Sequence, residues 1–239
     1  MGTTIMTSID SNLHTVGERI RHACAVAGRD VAQVTLLAVS KTQGPDTVAQ
    51  AVAAGQRDFG ENYVQEGVEK VLALRELLPT ASLTWHCIGP LQSNKTRLVA
   101  EHFDWVQSVD RLKIAQRLSE QRPPTLALLQ VCLQVNVDGG ANKSGVSPAE
   151  LPALARAVAQ LPGLRLRGLM CIPEPADTVA AQRLVFDQAR ALFDDLNQQG
   201  LALDTLSLGM SDDLNAAIAS GSTLVRVGRA IFGDRPAKG

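Results

Sequence analysis

The chain has 239 residues, 45% of them hydrophobic and 20% charged, with 23 basic side chains against 24 acidic ones. That composition belongs to a globular protein, long enough for one α/β barrel or two small domains, and it excludes a disordered or fibrous chain. A net charge of −1 leaves no basic surface able to neutralise a run of phosphates, so no nucleic acid partner is expected.

Residues Met1 to Met6 carry neither a positive n-region nor an apolar one, and no run of eighteen apolar residues follows. Met6 stands where a myristoylation signal starting at Gly2 needs Ser or Thr. A cytoplasmic protein with no membrane association is expected. An amphipathic stretch from Ile9 to Ala27 ends at Gly28, a helix stop.

Beyond it, short apolar, β-rich runs alternate with longer amphipathic ones. Strands are predicted at Thr35 to Lys41, Asp58 to Gly60, Thr84 to Gly89, Trp105 to Val109, Leu128 to Val137, Arg165 to Ile172, Thr205 to Gly209 and Leu224 to Val227. Helices are predicted at Asp46 to Ala54, Glu61 to Leu78, Asn94 to His102, Arg111 to Gln121, Pro148 to Gln160, Thr178 to Gln199 and Asp213 to Ala219. No linker interrupts the series, because Pro123-Pro124 only separates a helix from the next strand. The pattern predicts a single α/β domain over residues 1–239, a (β/α)₈ TIM barrel with an extra N-terminal helix. An open dinucleotide-binding sheet lacks its G-x-G-x-x-G.

Strand alternation places Lys41 on the face of Leu37 and Val39, at the carboxyl end of the first strand, where barrels carry reactive groups. Apolar neighbours there disfavour the charged amine and leave it able to attack an aldehyde; the alternative is a lysine whose amine snorkels to water. At the other end of the chain, Leu206-Ser-Leu-Gly-Met-Ser211 closes the seventh strand and Leu224-Val-Arg-Val-Gly-Arg229 the eighth. Barrels often bind phosphate there. Ser211 offers a hydroxyl, and Gly228 lets the backbone amides of Gly228 and Arg229 approach an anion; ordinary helix capping with a structural glycine is the alternative. Asp212 and Asp213 are expected to cap the next helix while pointing away from such a ligand. Arg226 alternates with Leu224 and Gly228, so it faces the same cavity, either toward a ligand or in a structural ion pair.

Two polar runs, Phe59-Gly-Glu-Asn-Tyr63 and His86-Cys-Ile-Gly-Pro-Leu-Gln-Ser-Asn-Lys95, follow the second and third strands. Asn62 can bond a ligand oxygen, and His86 either lines the pocket or sits satisfied in the core. Other chemistries are weakly supported. In Asp138-Gly-Gly-Ala-Asn-Lys-Ser-Gly145, Asn142 and Lys143 break the order of a P-loop. Gly209-Met-Ser211-Asp-Asp213 lacks the last glycine of a hydrolase nucleophile elbow, and four histidines without H-E-x-x-H predict no metal site. Cys24, Cys87, Cys132 and Cys171 have no CxxC spacing and are expected to be buried thiols.

Taken together, Leu37-Ala-Val-Ser-Lys-Thr42, Phe59-Gly-Glu-Asn-Tyr-Val-Gln-Glu66, Trp85 to Lys95, Arg167-Gly-Leu-Met170, Leu208-Gly-Met-Ser-Asp-Asp213 and Arg226-Val-Gly-Arg-Ala-Ile-Phe-Gly233 closely resemble the YggS/PROSC family of pyridoxal phosphate homeostasis proteins. The resemblance spans nearly the whole chain. It implies a fold similar to the amino-terminal barrel of alanine racemase. Pyridoxal 5'-phosphate (PLP) would form a Schiff base with Lys41, with Arg226 at the pyridine nitrogen and Ser211, Gly228 and Arg229 around the phosphate. Asn62 and His86 complete the expected cofactor-binding set. Many relatives carry a small Ser or Thr at position 229, so Arg229 here removes a hydroxyl contact and keeps the backbone one. An arginine partner leaves the pyridine nitrogen unprotonated and PLP a weak electron sink.

Alanine racemase takes one of its two bases, a tyrosine, from a second domain. The only tyrosine here is Tyr63, in the early rim segment, so two-base racemisation lacks a partner. The resemblance thus implies a PLP carrier that keeps a reactive aldehyde bound and contributes to vitamin B6 and amino acid balance, without catalytic residues of its own. The expected partners are PLP and apo forms of PLP-dependent enzymes, with the chain as a monomer. The competing reading is a PLP-dependent racemase or lyase of weak activity, and a third is hydrolysis through Ser211.

Overall fold

The computed structural model describes residues 8–139 and 144–233; Gly2, Met6 and the Asn142–Lys143 pair lie outside them. The first helix, α1 (Ser8–Val26), buries Ile9, Leu13, Val16, Ile20, Ala23 and Cys24, a stripe at helical spacing. It ends where Gly28 takes a φ of 64° and the Arg29 amide donates to the Cys24 carbonyl, closing a Schellman-type stop.

Eight strands follow: β1 (Thr35–Val39), β2 (Asp58–Glu61), β3 (Thr84–Cys87), β4 (Trp105–Val109), β5 (Leu129–Gln134), β6 (Leu164–Met170), β7 (Thr205–Ser207) and β8 (Leu224–Val227). All pair in parallel with their sequence neighbours, and β8 pairs with β1 to close the barrel. The intervening helices are α2 (Pro45–Ala53), α3 (Val64–Leu77), α4 (Thr96–His102), α5 (Leu112–Gln121), α6 (Leu151–Ala159), α7 (Val179–Gln198) and α8 (Leu214–Ala219). A four-residue α9 (Arg229–Phe232) follows β8. No periodic signal foretells it.

The predicted barrel with its extra N-terminal helix is therefore the observed fold. Several strands are shorter than predicted. β1 stops at Val39 rather than reaching Lys41, and β5 stops at Gln134 rather than Val137.

The main core lies between the strands and the helices, with Phe59, Phe103 and Phe186 fully buried. A smaller cluster of Leu37, Ile88 and Leu224, with Val39 packed against it, fills part of the barrel interior. Inward positions also carry His86, Gln107, Ser207 and Arg226, all buried. All four cysteines are buried thiols, as expected. No helix among the described residues is long and apolar enough to cross a membrane.

Candidate functional site

Lys41 stands two residues beyond β1, half-buried at the C-terminal rim. The strand gives way to a turn because Thr42 has a φ of 66°, a left-handed conformation that a β-branched residue keeps only when its surroundings hold it there. Those surroundings form a buried charged cluster beneath the turn. Lys70 of α3 donates to the Ser40 carbonyl at 2.7 Å, to Glu61 Oε1 at 2.7 Å and to Glu66 Oε1 at 3.1 Å. Ser40 Oγ donates to Glu61 Oε1 at 2.5 Å, and the Thr42 amide donates to Glu66 Oε1 at 2.6 Å. The backbone is thus gripped on both sides of Lys41. Burial raises the Glu61 pKa, an effect that Lys70 and Ser40 oppose.

Strand β8 lies beside β1, with Ala38 opposite Val227. The next residue, Gly228, backs onto the end of β1: a Cβ there would stand 3.2 Å from the Val39 carbonyl oxygen. Gly228 and Arg229 therefore share the rim with Lys41. The Arg229 side chain is exposed.

The other candidate loop, after β7, turns at Gly209, whose φ is 88° and whose Cβ would collide with Ala217. Ser211 follows, its carbonyl accepting a 2.8 Å bond from Arg19 of α1. Asp213 does not cap α8 with its side chain, contrary to expectation; Oδ1 accepts from the Met210 amide at 2.5 Å. That bond tightens the loop and turns the carboxylate back on its own turn. Helix α1 also ties α9, through Asn12 Nδ2 to the Ile231 carbonyl at 2.9 Å. The N-terminal helix thus braces both loops.

Arg226 is buried at 3% exposure. Nη1 donates to the Ser207 carbonyl at 2.8 Å and to Ser207 Oγ at 2.6 Å, and Nη2 donates to the Cys171 carbonyl at 2.9 Å. Among the described residues no carboxylate bonds it, so the structural ion pair considered above is not formed. Burial lowers its pKa, with Cys171 and Asp213 opposing, yet a guanidinium stays protonated in proteins. A buried cation without an anionic partner is costly unless a ligand supplies the missing acceptor. Two of its five N–H donors lie outside these three bonds. Asn62, one residue past β2, likewise has a buried Oδ1 with no hydrogen-bond partner among the described residues. Its backbone passes so close to Gly89 that a Cβ at position 89 would overlap the Asn62 carbonyl.

The structure thus brings Lys41, Asn62, Ser211, Arg226, Gly228 and Arg229 to one end of the barrel. His86 stands apart from them. Its ring stacks on Trp105 with centroids 5.1 Å apart, and Nδ1 is 3.0 Å from Gln107 Nε2. Nε2 faces Asp58 Oδ1 at 3.5 Å, in a cavity lined by the strand-start residues Thr35, Asp58, Trp105, Thr205 and Leu224 at the N-terminal mouth. Tyr63 is exposed at the entry to α3. No hydrogen bond among the described residues joins Ser211 to a histidine, the geometry a serine nucleophile needs.

Sequence reading missed Arg19, Glu61, Glu66, Lys70, Gln107 and Ser207. The four-residue spacing of Glu66 and Lys70 was the one available signal, since it places them together on a helix.

A family model described as "Alanine racemase, N-terminal domain" matches residues 13–236. The pyridoxal phosphate homeostasis protein of Pseudomonas aeruginosa is 61% identical over 230 residues, covering 96% of this chain and 97% of that protein. The protein of that name from Escherichia coli K12 is 54% identical, covering 96% and 98%. PipY of Synechococcus elongatus, solved with PLP bound, superposes with a TM-score of 0.77 at 40% identity, covering 90% of this chain and all of that one.

Fold and site together define a barrel of the alanine racemase N-terminal type, with a rim lysine after the first strand and a buried arginine on the last. More particularly, the chain belongs to the family of pyridoxal phosphate homeostasis proteins.

Proposed function

We propose that this protein binds pyridoxal 5'-phosphate through Lys41 and acts as a carrier that holds the cofactor, contributing to PLP and amino acid homeostasis. One observation carries the reading: Arg226 is buried as a cation with no carboxylate partner among the described residues, on the strand beside the one that leads to Lys41. A planar ring nitrogen is an acceptor that such a guanidinium fits. Asn62, whose amide oxygen has no partner among the described residues, would bond the ring substituents, while Ser211, Gly228 and Arg229 would hold the phosphate. When bound, PLP would supply a reactive aldehyde, and Lys41 is the amine that would hold it. The relatives bearing the name homeostasis protein and the PLP-bound PipY support the same ligand.

The carrier role rests on what surrounds this site. Arg226, a donor that keeps its proton, would leave the ring nitrogen unprotonated and so withhold the electron sink that carbanion chemistry needs. Tyr63, the sole tyrosine, is exposed at the start of α3. Residues 1–239 act as one cytoplasmic unit, monomeric, from which apo forms of PLP-dependent enzymes draw cofactor. Incubation with PLP should turn the purified protein yellow, and steady-state assays across amino acids should show no robust turnover. A colourless protein would overturn the binding, and rapid racemisation or lysis would overturn the carrier role.

A further inference from the structure

The barrel interior holds one continuous hydrogen-bond chain that cofactor binding does not account for. Arg226 Nη1 donates to Ser207 Oγ at 2.6 Å, Ser207 Oγ donates to Gln107 Oε1 at 2.7 Å, and Gln107 Nε2 lies 3.0 Å from His86 Nδ1. Every member is buried. The chain runs from the rim arginine to the cavity of about 240 Å³ at the opposite mouth.

It also has a direction. A guanidinium only donates, so Ser207 Oγ accepts at that end and passes its own proton on to Gln107. Gln107 must then turn its oxygen to Ser207 and its N–H to the imidazole. His86 Nδ1 is therefore the acceptor, and the one proton of the neutral ring sits on Nε2. That atom has no partner at hydrogen-bond geometry among the described residues and lies 3.5 Å from Asp58 Oδ1. Burial lowers the His86 pKa, with Asp58 and Asp104 opposing, which keeps the ring in the neutral form the chain requires.

We propose that Ser207, Gln107 and His86 are positioning residues for Arg226, fixing the plane of its guanidinium and the N–H groups left for a ligand. This rests on the cofactor reading above. Ser207 holds Nη1 through both its carbonyl and its hydroxyl, and that hydroxyl is oriented only because Gln107 accepts its proton. Gln107 is in turn oriented by His86. Each of the three acts through the next. Chains of this kind lock one geometry when every member is satisfied and lose it when one is reversed.

The test uses the full-length protein. Nitrogen-15 NMR of labelled histidine should show His86 protonated on Nε2 and bare on Nδ1, with or without PLP. Gln107→Met, similar in length but unable to bond either neighbour, should still retain PLP that borohydride fixes to Lys41. It should release unfixed PLP about fivefold faster, the size of one hydrogen bond's net contribution, and shift the visible absorbance maximum. His86→Leu should do the same. His86→Asn, whose Oδ1 stands near the place of Nδ1 and accepts from Gln107, should restore both readouts. Should Gln107→Met fail to fold, the His86 pair and the tautomer decide. An Nδ1–H tautomer, or unchanged release and absorbance in Gln107→Met and His86→Leu, overturns the inference while leaving the cofactor reading intact. Failure of the unmodified protein to bind any PLP overturns both.

Discussion

The carbonyl oxygen of Val39 lies 3.2 Å from the point a Cβ on Gly228 would occupy. The turn bearing Lys41 and the loop proposed to hold a phosphate are therefore packed backbone against backbone. Gly228 has a φ of −116°, so a larger residue there is opposed by crowding and not by backbone strain. Gly228→Val should leave the barrel folded by circular dichroism and weaken PLP binding about tenfold or more, since it pushes the amides off the anion. Fluorescence titration with PLP measures this directly.

The cluster under the turn predicts a stability effect. Lys70→Met leaves the Glu61 carboxylate buried with no cation, which should cost about 3 kcal/mol or more in urea unfolding. Combining it with Glu61→Gln should recover most of the loss, because the uncompensated charge is then gone. Equal instability in the single and double variants would assign the effect to packing.

How far the sequence revealed this site depends on whether a residue's role is local. The barrel was legible because each strand and helix announces itself by its own period, and Arg226 was legible as a charge inside the apolar run Leu224-Val225-Val227. The end of β1 was not: Thr42 turns left-handed where its amide meets Glu66, 24 positions on. Glu61 and Lys70 read as ordinary surface charges until the packing of α3 on β2 buries them. His86 shows the remaining limit. Alternation tells that its side chain points inward, but not toward which mouth of the barrel.

The depressed pKa of His86 makes stability depend on pH. Burial holds it below the ordinary 6.5, so as the medium is acidified the unfolded chain takes up a proton first. The stability present above the ordinary value is lost as pH falls from there toward the native pKa, with a slope of up to about 1.4 kcal/mol per pH unit. Below the native pKa this contribution levels off. Urea midpoints of the unmodified protein and of His86→Asn should diverge across that window, and parallel curves would contradict it.

Burial pushes the Cys87 and Cys132 thiols up to about 12. The thiolate is the reactive species, so neither residue should react with a disulfide reagent at neutral pH until denaturant is added. Peptide mapping of the labelled native protein checks this.

The most direct measurement is borohydride reduction of the PLP-loaded protein followed by mass mapping of the modified peptide. If Lys41 is the anchor, the visible band is lost and one pyridoxyl group appears, carried by Lys41 and absent from Lys41→Ala. Label on another lysine, or a Lys41→Ala protein that keeps its colour, would contradict it.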